Sequence, residues 1–128
     1  MFKDTPAFSG FSVDNLAAAR TFYSEVLGLD VVDDMMGLKL NIPGTNGIFI
    51  YPKKDDHKPA TYTILNFPVT NIEAAVSELA AKGVKFERYP EMLPDDKGIV
   101  RGTNEHPGPD IAWFKDPAGN ILSVLQNK

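Results

Sequence analysis

The sequence predicts an α+β protein made of two tandem βαβββ units, and three observations carry that expectation. The first is an internal repeat. Phe11-Ser12-Val13-Asp14-Asn15-Leu16-Ala17-Ala18-Ala19 lies over Phe67-Pro68-Val69-Thr70-Asn71-Ile72-Glu73-Ala74-Ala75 at a constant offset of 56, with Phe, Val, Asn, Ala and Ala identical and Leu16 matched by Ile72. The second is the plan inside each copy: strand formers, a polar capping residue, an apolar stripe at helical spacing, a glycine, then further strand-like runs. The third is size. A chain of 128 residues buries roughly two-thirds of its unfolded surface, whereas neither half alone is large enough to cover both faces of a sheet. One domain over 1–128 is therefore expected, with units at 7–51 and 61–128 and a polar, proline-bounded linker at 52–60.

In the first unit, Phe8 to Val13 reads as a strand, and Asp14 or Asn15 offers a side-chain oxygen to cap a helix. Leu16, Ala19, Tyr23, Val26 and Leu27 form one helical stripe, and Gly28 supplies a left-handed stop. Strands follow at about 29–33, 36–42 and 47–51, broken by Asp33-Asp34 and by Pro43-Gly44-Thr45-Asn46-Gly47. In the second unit the cap is Thr70 or Asn71, the stripe Ile72, Ala75, Val76 and Leu79, and the stop Gly83. Strands are expected at about 84–88, 97–103, 109–115 and 120–126. Pro90 and Pro94 bracket a loop, and Asp116-Pro117-Ala118-Gly119-Asn120 has the composition of a tight turn.

Composition excludes several classes of function. A net charge of −4 does not suit a protein that grips a nucleic-acid backbone or an anionic membrane surface. With no cysteine, there is no disulfide, thiolate nucleophile or cysteine-held metal. No run approaches the roughly 20 apolar residues of a membrane span. Met1 to Pro6 lacks the apolar run of a signal peptide, so a cytoplasmic location is expected.

Two segments carry a family resemblance. Val13-Asp14-Asn15-Leu16 followed by Phe22-Tyr23-Ser24-Glu25-Val26-Leu27-Gly28-Leu29 resembles the first helix of the vicinal oxygen chelate superfamily, the group of glyoxalase, bleomycin-resistance proteins and extradiol dioxygenases. Trp113-Phe114-Lys115-Asp116-Pro117-Ala118-Gly119-Asn120 resembles that family's closing hairpin. The resemblance covers essentially the whole chain. It implies a curved mixed sheet with helices outside, a cup that holds a metal or ligand, and pairing of chains as a homodimer. It also places the usual metal ligands at Phe8, at Ile64 and at Ser123, with a further one in unit one's last strand. Phenylalanine and isoleucine cannot coordinate a divalent cation, and a neutral serine hydroxyl is a poor ligand. No metal and no cofactor are therefore expected.

Strand alternation then suggests which residues face the cup: Phe8 and Ser12 from the first unit, and Ile64, Asn66 and Ser123 from the second, with Trp113 near the closing hairpin. Apolar walls with a few convergent polar groups are the profile of a small-molecule pocket, and equally of a filled core. Arg101, Glu105 and His106 form the chain's best candidate for acid–base or anion-binding chemistry, against the alternative of an exposed polar connection. His57 reads as a solvated linker residue, and Glu91, Asp95 and Asp96 as a solvated loop. Gly44 to Gly47 lacks the lysine and helix of a phosphate loop, and no serine sits in a nucleophile elbow. The leading expectation is a metal-independent protein that binds a small organic molecule. The alternatives are an enzyme of the same superfamily using Arg101, Glu105 and His106 or non-standard metal ligands, and a structural domain whose cup is plugged by Phe8 and Trp113.

Overall fold

The computed structural model describes residues 1–128, which divide into two compact units, Met1–Pro59 and Ala60–Lys128. The first runs β1 (Ser9–Val13), α1 (Leu16–Thr21), β2 (Asp30–Asp34), β3 (Gly37–Asn41) and β4 (Ile48–Pro52). Its sheet order is β1-β4-β3-β2, with β1 parallel to β4 and the other pairs antiparallel. The second runs β5 (Thr63–Pro68), α2 (Ile72–Ala81), β6 (Asp110–Lys115) and β7 (Ile121–Gln126). Its sheet order is β5-β7-β6, with β5 parallel to β7 and β6 antiparallel to it. The α+β class and the mixed sheets are those the sequence predicts, and in each unit the first strand lies parallel to the last.

Local chemistry starts and stops both helices. Of the two possible caps in each copy, the asparagine serves: Asn15 Oδ1 accepts from the Ala18 N–H at 3.0 Å, and Asn71 Oδ1 from the Ala74 N–H at 3.1 Å. Gly28 (φ 70°) and Gly83 (φ 93°) take the left-handed backbone that ends each helical run. Beyond α1, Phe22–Val26 widens into a π-helical stretch, closed by the Leu27 N–H on the Phe22 carbonyl. Asn71→Ala should cost about 1 kcal/mol, because a helix N–H loses its partner. Urea unfolding at neutral pH measures this, and Asn71→Gly should recover most of it.

Each helix covers one face of its own sheet. In the first unit Phe11, Val13, Ala19, Tyr23, Leu38, Leu40, Ile48 and Ile50 are buried. In the second, Ile72, Val76, Ala112, Phe114, Leu122 and Val124 are buried, joined by Ile99 from the long segment after α2. Burying each of the larger apolar side chains contributes roughly 1.5–3 kcal/mol.

The second unit departs from the expected plan between α2 and β6. The segments at 84–88 and 97–103 are single bridges, Phe86 to Phe114 and Val100 to Ile111, rather than strands. The cause is backbone geometry. Pro90 and Pro94 bring no N–H, Leu93 (φ 53°) and Gly98 (φ 88°) turn the chain out of the extended region, and Asp95 Oδ1 takes the N–H groups of Lys97 and Ile99. The closing turn is as the sequence indicates. Asp116 Oδ1 accepts from the backbone of Ala118 and Asn120, and Gly119 takes φ 87°.

Candidate functional site

In β6 and β7 the alternation that buries Ala112, Phe114, Leu122 and Val124 against α2 turns Trp113 and Ser123 to the opposite, helix-free face. Ser123 pairs in register with Trp113 on one side and Asn66 on the other, so the three form a row across β6, β7 and β5. Ser123 Oγ donates to Asn66 Oδ1 at 2.6 Å, and Ser123 is fully buried while Asn66 is exposed. Trp113 Nε1–H donates to Thr63 Oγ1 at 3.2 Å, and its ring meets Tyr89 edge to face at 5.6 Å. The indole is thus held at both its polar and its apolar edge.

The register corrects the placement of Ile64. Thr63 pairs with Ile121 but Leu65 pairs with Leu122, so β5 bulges at Ile64 and its alternation shifts. Thr63, paired with Ile121 on a neighbouring rung, is the β5 residue that reaches the Trp113 indole, and Ile64 sits in the bulge between rungs. Phe8 departs as well. It precedes β1 and is 66% exposed, so it plugs no core.

The helix-free face of the first unit carries Ser12, Lys39, Phe49 and Tyr51, with Tyr51 beside Ser12 and Phe49 between Gly10 and Lys39 in register. Phe49 and Tyr51 stack at 5.9 Å with a 19° interplanar angle. Ser12 Oγ and His57 Nδ1 share a 2.8 Å hydrogen bond. This corrects the reading of His57 as solvated: the Lys53 N–H bonds the Val13 carbonyl, a turn at Lys54–Asp56 follows, and half-buried His57 is brought back onto β1. Alternation in β4 was signal enough to pair Phe49 with Tyr51, but nothing local indicated His57, 45 residues from its partner.

Arg101, Glu105 and His106 are not brought together. The Arg101 guanidinium pairs with Glu73 at 2.6 Å, and with Asp95 and Asp110, each at 3.2 Å. Glu73 in particular raises the arginine's pKa. Burial pushes the Asp110 carboxyl up, but the Gly102 N–H, Lys128 and Arg101 together hold it below the usual aspartate value. Asp95 is also held low against the effect of burial, by the N–H groups of Ile99 and Lys97 and by Arg101. Asp95 is therefore a bracing residue rather than part of a solvated loop. Glu105 and His106 stand exposed in the turn beyond, where the His106 N–H bonds Thr103 Oγ1.

The positions that the resemblance assigns to metal ligands do not fit a divalent cation. Two carry hydrocarbon side chains, the third is a hydroxyl bonded to an amide oxygen, and no three His, Asp or Glu side chains gather in ligating geometry.

Paired βα units with mixed sheets, each with one helix-covered and one helix-free face, define a two-unit α+β protein of the glyoxalase type. The family model of the Glyoxalase/Bleomycin resistance protein/Dioxygenase superfamily matches residues 8–124, and the chain belongs to that superfamily. Among solved structures it is similar to TnmS3, an antibiotic-binding protein from Streptomyces sp. CB03234, at 21% identity and TM-score 0.71 over 100% of this chain and 99% of that one. It is also similar to a glyoxalase/bleomycin resistance protein from the same organism, at 22% identity and TM-score 0.63 over 95% of this chain and 100% of the other. A third likeness is lactoylglutathione lyase from Agrobacterium tumefaciens, at 17% identity and TM-score 0.61, with coverage of 96% and 93%. At these identities the likeness is one of fold. No curated protein matches the chain in sequence. No helix is long and apolar enough to cross a membrane.

Proposed function

We propose that this protein binds a small organic molecule without a metal, and that the helix-free face of the second unit carries the contact. The observation behind this is the row Trp113, Ser123 and Asn66 with Thr63 and Tyr89 beside it: a half-buried indole and phenol ring next to the Thr63 hydroxyl and the exposed Asn66 amide, which buried Ser123 holds by a hydrogen bond. Such a surface takes a planar, partly apolar ligand by stacking and orients it with a few hydrogen bonds. The fold likeness to an antibiotic-binding protein agrees with this reading. Ser12, joined to His57 and beside the Phe49–Tyr51 stack, offers the first unit a polar and aromatic element of similar character. An enzymatic reading built on Arg101 receives no support from a guanidinium engaged with three carboxylates.

Trp113 is the only tryptophan, so its emission reports on this face alone. Titration with a panel of planar aromatic antibiotics should give a saturable change for at least one compound, unaltered by a chelator. Emission that stays flat across the panel, or binding abolished by the chelator, overturns the proposal.

We also propose that two chains pair. Met35 and Met36, at the tip between β2 and β3, are 94% and 87% exposed, and β2 is an edge strand. A two-fold pairing covers both chains' patches with one contact. Light scattering should give about 28 kDa, twice the chain mass. A constant single-chain mass on dilution removes the dimer.

A further inference from the structure

On the opposite side of the second unit's sheet from Trp113, the chain leaving α2 forms a groove of about 400 Å³. That volume falls within the roughly 300–1,000 Å³ typical of small-molecule sites. Its floor is mostly apolar: Val76 and Ala80 with the Ser77 hydroxyl from α2, and Val84 and Phe86 from the segment that follows. The wall is rigid, because the Phe86 ring packs edge to face on buried Phe114 at 5.7 Å. The turn at Gly98, next to the lining residue Lys97, lies against Phe86. A Cβ there would lie 3.0 Å from the Phe86 Cβ, and φ is 88°, so glycine lets that turn approach the ring.

The rim has a different chemistry. Lys85, Arg88 and Lys97 line it against one carboxylate, Asp96, in a chain whose net charge is −4. Arg88 Nη2 donates to the Asp95 backbone carbonyl at 2.7 Å, a neutral acceptor that leaves the guanidinium charge uncompensated. The ion pairs of this unit use Arg101, Lys115 and Lys128 instead. Three cations without ion-pair partners therefore surround an apolar floor. These exposed cations favour a ligand that carries a negative charge over a neutral one, and a compact inorganic anion would leave the floor wet.

We propose that this groove is a second binding site, separate from the Trp113 face, for an amphipathic monoanion of the medium-chain carboxylate class. The hydrocarbon body lies on Val76, Ala80, Val84 and Phe86. The carboxylate head faces Lys85, Arg88 and Lys97 at the water-exposed rim.

Decanoate, with decanol as its uncharged counterpart, is the probe, and an amide-shift titration of the full chain by NMR is the measurement. Saturable decanoate shifts should concentrate at residues 76–88 and 96–97. Decanol should bind more weakly, and added salt should weaken decanoate but not decanol. Lys85→Gln with Lys97→Gln alters only exposed side chains and should weaken decanoate about threefold to tenfold, the size expected of two solvent-facing charge contacts. Ala80→Trp should fill the groove and abolish decanoate binding while the spectrum elsewhere stays native. Trp113→Ala should leave decanoate binding unchanged, so failure of the antibiotic titration does not touch this site. Absent saturation, equal affinity for decanol, shifts centred on Trp113, or an unaltered affinity in the double lysine variant overturns the proposal.

Discussion

Asp110→Ala should destabilise the chain by about 3 kcal/mol, and Asp110→Asn by roughly half as much. Asp110 is 6% exposed, and its carboxylate takes the Gly102 N–H at 2.9 Å, Lys128 Nζ at 3.0 Å and Arg101 Nη1 at 3.2 Å. The Arg101 and Lys128 side chains are 38% and 57% exposed, so solvent screens their attraction. Most of the loss is expected from the unsatisfied Gly102 N–H and from an arginine whose three-carboxylate clamp is cut to two. Asparagine keeps the acceptor but not the charge, hence the smaller cost. Acid should reproduce part of the effect in the unaltered protein. A carboxyl whose folded pKa lies below its unfolded value stabilises the fold above the unfolded value and loses that contribution as pH falls through the folded one. Asp110 and Asp95 are both lowered from 3.8, so stability should drop as pH falls below that value, and it should drop less in Asp110→Asn. Urea unfolding across that acid range measures both. Parallel acid limbs in the two proteins would show that Asp110 is not a source of the loss.

Trp113→Ala should reduce affinity for whichever aromatic compound binds the helix-free face of the second unit by at least about tenfold, the behaviour of a buried aromatic anchor at a contact centre. Binding in this variant is followed by calorimetry, since the reporter ring is gone. Thr63→Val supplies a milder case: it keeps the shape but removes the acceptor for the indole N–H, so the ring loses its fixed orientation. A several-fold loss with unchanged melting temperature would identify Thr63 as a positioning residue. Full affinity in Trp113→Ala would remove the indole from the site.

Between the sequence and the folded chain, agreement is closest where neighbours along the backbone decide the outcome. The offset of 56 announces two copies, and both copies use the same asparagine cap and the same glycine stop. The strands of the first unit fall within a residue or so of their expected places. Agreement is poorest at 84–103. There the strand-like composition of Val84 to Arg88 and Lys97 to Thr103 is overruled by prolines, a left-handed leucine and an aspartate that captures the backbone N–H groups.

The candidate site divides in the same way. Period-two alternation suggests one shared face for Asn66 and Ser123 and a corresponding one for Ser12, because a regular strand turns alternate residues to alternate faces, whereas Trp113 joins Ser123 only through the β6–β7 register. At Ile64 that count is interrupted by a bulge between Thr63 and Leu65, and no residue there advertises it. Glu105 and His106 are close to Arg101 in the chain, whereas Glu73, 28 residues away, is its shortest partner.

The sequence by itself determined the two-unit plan, the helix ends, the closing turn and the absence of donor side chains at the implied metal positions, since each depends on residue identity or on bonds spanning a few residues. Only the tertiary structure decided that His57 reaches Ser12, that Thr63 holds Trp113 and that Ser123 bonds Asn66. Those partners lie 45, 50 and 57 residues apart, and their meeting follows from strand register and the path of the loops, which no local preference encodes.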